Sequence, residues 1–132
     1  MSEDSAIAIH VLLVEDHSRL RKILQLALES DGFRVTAAES ADEAVVLLEN
    51  GIAVDILLSD IRMPGRIDGL QLARWARDRH AEMAILLQTG FSDLDTGDFA
   101  LLRKPYPPEE LSAQLRAIVG CLRREQCPKP PS

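Results

Sequence analysis

"VDILLSDIRMPG", residues 54–65, decides the fold. The run opened by Val54 is apolar almost throughout, as a strand covered on both faces of a parallel sheet must be. Its first polar tip is Ser59-Asp60, and a Met-Pro-Gly turn follows within three residues. A strand of this kind delivers a carboxylate to its own end and then bends away. Asp60 is either a solvated turn residue or a group aimed at something.

Outward from this stretch, apolar runs alternate with helical patterns. Residues 8–14 (AIHVLLV), 33–39 (FRVTAAE), 83–88 (MAILLQ) and 99–104 (FALLRK) read as four more strands. Leu20, Ile23, Leu24, Ala27 and Leu28 keep the i, i+3, i+4 spacing of a half-buried helix. "SADE" at 40–43 predicts a capping box in which Ser40 and Glu43 satisfy each other's backbone donors. Leu111, Leu115, Ile118, Val119 and Leu122 mark a last helix that Pro107 or Pro108 can open. A βα repeat without hairpin signals implies right-handed crossovers and a doubly wound parallel sheet. One crossover is weak: the stretch from Gly90 to Arg103 carries Gly90 and Gly97 with little periodicity, which predicts a shortened or irregular fourth helix. The expected organisation is an extension over 1–7, one domain over 8–126 and a proline-rich flexible tail over 127–132.

Composition removes several function classes. The 132 residues are 46% hydrophobic and 27% charged, a globular balance. Fifteen basic against twenty-one acidic residues leave a net charge of −6, the wrong sign for phosphate-backbone binding, so no direct nucleic-acid contact is expected. The acidic start lacks the pattern of a signal peptide, and no apolar stretch is long enough to span a bilayer. Cys121 and Cys127 are too few for a disulfide framework and are expected to be reduced, in a cytoplasmic protein.

In an open parallel sheet, ligands bind outside the carboxyl ends of the strands. The first strand presents Glu15 and Asp16 there, the third Asp60, the fourth Thr89 and the fifth Lys104. If strands one and three are neighbours, three carboxylates gather at one rim. Two like charges about 4 Å apart at an effective dielectric near 20 repel by roughly 4 kcal/mol, so a proton or a cation must compensate. Several carboxylates without a Cys or His cluster suit Mg²⁺. With that ion, the aspartate could act as a nucleophile toward phosphorus, while Lys104 and Thr89 stabilise the equatorial oxygens.

"VLLVEDHSRLRKIL", "DILLSDIRMPGRIDGLQLA", "ILLQTGFS" and "LLRKPYPPEEL" resemble the receiver domain of bacterial two-component response regulators, in the correct order and from about residue 9 to 122. The resemblance implies a flavodoxin-like sheet of order 2-1-3-4-5. It implies that Asp60 is the phosphoacceptor, that Asp16 and Asp60 ligate Mg²⁺ (or Mn²⁺) directly, that Glu15 acts through water, and that the Arg62 carbonyl is a further ligand. Thr89 would be the switch hydroxyl, Lys104 the phosphate-pairing lysine, and Lys104–Pro105 a cis bond. The implied partner is a histidine kinase or histidine phosphotransfer protein, without a membrane. Three features depart from the pattern: Leu101 stands where an aromatic is usual, the fourth crossover is short, and "MPGRIDG" is one residue longer than the commonest form. Such a chain resembles stand-alone receivers or those attached to hybrid histidine kinases.

Other readings compete. Glu15 and Asp16 could simply favour a helix N-terminus, Thr89 could bond its own backbone, and Lys104 could be a surface lysine. The alternative functions are a phosphorylation-independent interaction module and, further off, a metal-dependent phosphatase using an aspartyl phosphate. The latter needs a general acid two residues after the nucleophile, where Arg62 stands. A nucleotide or flavin site lacks a glycine-rich loop, because the first βα turn is "VEDHSR". His17, His10 and His80 read as surface or structural residues, Trp75 as packing, and Arg74, Arg77 and Arg79 as a solvated face; Arg62 lies within reach of a group on Asp60.

Overall fold

The structure, a computed structural model, describes residues 8–63, 65–90, 99–104 and 106–124. Five strands, β1 (His10–Val14), β2 (Arg34–Ala38), β3 (Ile56–Asp60), β4 (Ala84–Thr89) and β5 (Ala100–Arg103), form one sheet of order β2-β1-β3-β4-β5, parallel throughout. Four helices are seen among the described residues: α1 (Ser18–Ser30), α2 (Ala41–Glu49), α3 (Gly69–Arg79) and α4 (Pro108–Arg124). The expected strand order holds. The fourth crossover, the Lys104–Pro105 bond, the tail and the Cys121–Cys127 pair fall outside what is described.

Strand alternation sorts the apolar side chains between two layers. Val11, Leu13, Leu58, Leu86 and Leu102 pack with Leu24 and Leu28 of α1 and Leu111 and Leu115 of α4. Leu12, Val14 and Leu57 pack the other way, against Ala44 and Leu48 of α2 and Leu72 and Ala76 of α3. Every residue of β3 is buried, which is why its sequence shows no polar alternation, while β2 at the sheet edge is mostly half-buried.

The helix starts correct one reading and add another. Ser40 Oγ does accept the Glu43 N–H at 3.0 Å, but the Glu43 carboxylate does not return to Ser40; it accepts the Glu39 N–H at 2.7 Å. The reciprocal box lies instead at α3. There Asp68 accepts from Gln71 N and Gln71 Oε1 from Asp68 N, both at 2.9 Å. Asp68→Ala should lower stability by about 1 kcal/mol in chemical denaturation, with an unchanged slope.

The remaining candidates keep structural roles. His10 bridges Ala53 O and Thr36 Oγ1, each at 2.8 Å. Trp75 packs against the second layer and lies 5.9 Å from the His80 ring. Arg74, Arg77 and Arg79 are exposed as expected, though Arg77 sits 4.3 Å over Phe99 and Arg79 5.3 Å over Trp75.

Candidate functional site at the strand ends

Parallel strands end on the same side, so β1, β3, β4 and β5 bring their following residues to one rim. Asp60 is the last residue of β3 and 6% exposed; Glu15, just past β1, is fully buried. Lys104, just past β5, places Nζ 2.8 Å from Asp60 Oδ1 and 3.4 Å from Glu15 Oε1. Thr89 ends β4, nearly buried, and its carbonyl accepts the Lys104 N–H at 2.7 Å.

Electrostatics follow from that crowding. Burial, together with a hydrogen bond and charge repulsion from Glu15, pushes the Asp60 carboxyl up from 3.8 to about 7, against the pull of Lys104. Burial also works to raise Glu15, but its hydrogen bond with Asp60, the His17 N–H and the Lys104 ammonium outweigh burial and hold it below its ordinary value. Crowding two acids at one rim therefore favours keeping a proton there as pH rises toward about 7. The two carboxylates outweigh burial at Lys104 and keep it charged.

The sign of the linkage is fixed by Asp60. Between its ordinary 3.8 and about 7, the folded protein holds a proton that the unfolded chain has lost. Without divalent ions, stability from Asp60 should thus fall as pH rises through that window and level off above it. Glu15 has the opposite sign, but only below its ordinary 4.5. Melting temperatures in chelator from pH 5 to 8 should decline, and Mg²⁺ should flatten the decline.

Asp16 adds the next observation. Its Oδ1 is buried and has no hydrogen-bond partner among the described residues. Glu15, Asp16 and His17 each offer a ligand atom within 4.8 Å of the others. His17 Nδ1 lies 3.6 Å from that oxygen, an ion-pair neighbour rather than a hydrogen bond, and such an oxygen beside the buried Glu15 is a set that a divalent cation completes. His17 is an exposed surface residue, as read, yet it is not apart from the acids. Its backbone N–H donates to Glu15 Oε2 at 3.2 Å, and its Nδ1 lies 3.3 Å from the same oxygen. This partly restores the helix-start reading of Glu15, whose carboxylate serves the residue that precedes α1.

The structure thus brings Asp60, Glu15 and Lys104 into direct contact and gathers Asp16 with Glu15 on the same rim. Arg62 is exposed on the loop that leaves Asp60. Leu101, in the place of an aromatic, packs with Ile61, Ala73 and Leu87. Gly69 escaped sequence reasoning: a Cβ there would fall 1.7 Å from the Asp60 carbonyl oxygen, so only glycine lets α3 start against the end of β3. Gly65 has φ +122°, and the next residue's N–H donates to Asp42 Oδ2 at 3.2 Å, tying the loop to α2.

With this geometry in place, comparisons with known proteins fix the class. The family model described as the response regulator receiver domain matches residues 11–116. The chain belongs to that family, whose members serve phosphoacceptor signalling in two-component systems with histidine kinases or phosphotransfer proteins, and are generally not enzymes. It is 34% identical to the DNA-binding transcriptional regulator NtrC of Salmonella typhimurium, over 90% of this chain and 26% of that protein. It therefore spans about a quarter of that relative's length. The expected lack of nucleic-acid contact finds no support in such relatives. Among solved structures, a response regulator receiver protein from Sinorhizobium medicae is 31% identical with a TM-score of 0.76, over 89% of this chain and 97% of that one. TrrA from Thermotoga maritima, solved in complex with Mg(2+)-BeF, is 28% identical with a TM-score of 0.74, over 83% of this chain and 98% of that one. No helix among the described residues is long and apolar enough to cross a membrane.

Proposed function

We propose that this chain is a phosphoacceptor module in which Asp60 takes a phosphoryl group from a phosphohistidine of a partner kinase or phosphotransfer protein, in the cytoplasm. The observation that carries the reading is the buried Asp60 carboxylate held against Lys104 at 2.8 Å and facing Glu15. Asp16 and Asp60 would hold Mg²⁺ directly, with Glu15 through water and the Arg62 carbonyl as a further ligand. The TrrA complex with Mg(2+)-BeF supports a divalent ion in such a site. That ion, when bound, supplies positive charge to the transferring phosphoryl oxygens.

The residues divide the remaining work. Asp60 must shed its proton, after which one carboxylate oxygen attacks phosphorus. The P–N bond breaks, and its electron pair leaves with the imidazole nitrogen. Lys104 neutralises charge on the phosphoryl oxygens, and the Thr89 hydroxyl donates to one of them. The added charge of about −1.5 to −2, by analogy with other phosphoresidues, then draws Thr89 and Lys104 inward and shifts the population of a partner surface.

Incubation with a small acyl-phosphate donor and Mg²⁺ tests this. One phosphoryl group should be gained, removable by hydroxylamine as an acyl phosphate is, and mapped to the peptide holding Asp60. Labelling that survives hydroxylamine, or maps elsewhere, would overturn the assignment.

A further inference from the structure

We propose that the Gln88–Tyr106 pair is a positioning device for Lys104, so that Tyr106 sets how fast the phosphoryl group is gained and lost. The inference rests on the phosphoacceptor reading of Asp60.

Gln88 is fully buried, and its Cα is in register with Asp60 on one side and Leu102 on the other. Parallel neighbours in register point the same way, so Gln88 shares its sheet face with Asp60, directly under the rim. An amide there is costly: its Oε1 accepts from the Tyr106 hydroxyl, while its Nε2 has no partner among the described residues. Leaving a buried donor unmade costs about 1–3 kcal/mol, so an apolar residue of this size would favour stability. The amide is better understood through what it holds.

It holds the segment that carries Lys104. Tyr106 lies two residues further on, its ring packed against the layer formed with α1 and α4. The Lys104 N–H is tied to Thr89 O at 2.7 Å, so Lys104 and Tyr106 are each pinned to β4, one through the backbone and one through a side chain. From beside the backbone pin, Lys104 carries Nζ to 2.8 Å from Asp60 and 3.4 Å from Glu15. Burial, then the charges of Asp60 and Glu15, raise the Tyr106 phenol, which keeps its proton and donates at any physiological pH. Without the hydroxyl, the second pin is lost and Nζ is free to drift between the two acids.

The test measures labelling by a small acyl-phosphate donor with Mg²⁺, and spontaneous loss of the label, for wild type, Tyr106→Phe, Gln88→Met and the double variant. Each single variant should label about three- to tenfold more slowly, the worth of one neutral hydrogen bond. The double variant should be no slower than either, and Tyr106→Phe should have no effect in a Lys104→Met background. A purely structural Tyr106 would instead add its effect to that of Lys104→Met. Wild-type rates in Tyr106→Phe, additive losses in the double variant, or a full effect without Lys104 would each overturn the inference while leaving the acceptor role of Asp60 intact. A wild type that takes no label would sink both.

Discussion

Asp60→Asn should lose labelling by a phosphodonor altogether, and it should also lose most of the pH dependence of metal-free stability. The two outcomes come from one carboxyl. Asparagine keeps the shape of aspartic acid but offers no nucleophilic oxygen anion, so no acyl phosphate forms. It is also neutral at every pH, and so resembles the protonated Asp60 that the folded chain favours up to about 7. At pH 8 in chelator the variant should therefore melt above wild type, while near pH 5 the two should converge. Mg²⁺ should raise the melting temperature of wild type more than that of the variant, because one ligand oxygen has become an amide. A variant that labels like wild type would end the assignment; one that labels poorly but keeps the full pH slope would move the elevated ionisation to another group.

Gly69→Ala should be the most damaging added methyl among the glycines whose surroundings are described. The added carbon would stand 1.7 Å from the Asp60 carbonyl oxygen and 2.8 Å from the Ile61 Cα, both backbone atoms that cannot rotate away. Either α3 retreats, breaking the bond from Gly69 N to Ile61 O at 2.8 Å, or the end of β3 is displaced. Overpacking of this kind costs about 3 kcal/mol or more. Urea denaturation should show the loss. Labelling of whatever remains folded should also slow, since the displaced strand end is the one that aims Asp60. Gly65→Ala should cost less: its positive φ is strained for alanine, but the nearest atom, at 3.1 Å, is the side-chain oxygen of Asp42.

Much of this was legible in the sequence for a definite reason. Runs such as Ile56–Leu58 and, apart from half-buried Ile85, Ala84–Leu87 are buried on both faces, and burial on both faces leaves an unbroken apolar signature. The residues after such runs must meet at one rim, so Glu15, Asp60, Thr89 and Lys104 could be placed together before any coordinates. What escaped depended on contacts between distant segments. The need for glycine at 69 comes from the carbonyl of residue 60, and nothing in "DGLQ" announces that neighbour. The partner of Glu43 turned out to be one residue earlier than the capping pattern implies. Nothing local in "KPY" announces that the Tyr106 hydroxyl is used on a buried amide of β4. His17 lies against the acids through its own backbone, a contact that a count of ligand types does not reveal.

The ammonium that neutralises this rim sits 89 residues along the chain from the first acid it meets. Any folding route that pairs β1 with β3 before β5 docks must bring Glu15 and Asp60 together with no counter-charge between them. The barrier of such a route contains their repulsion, so mild acid should hasten refolding even where the finished protein is already stable.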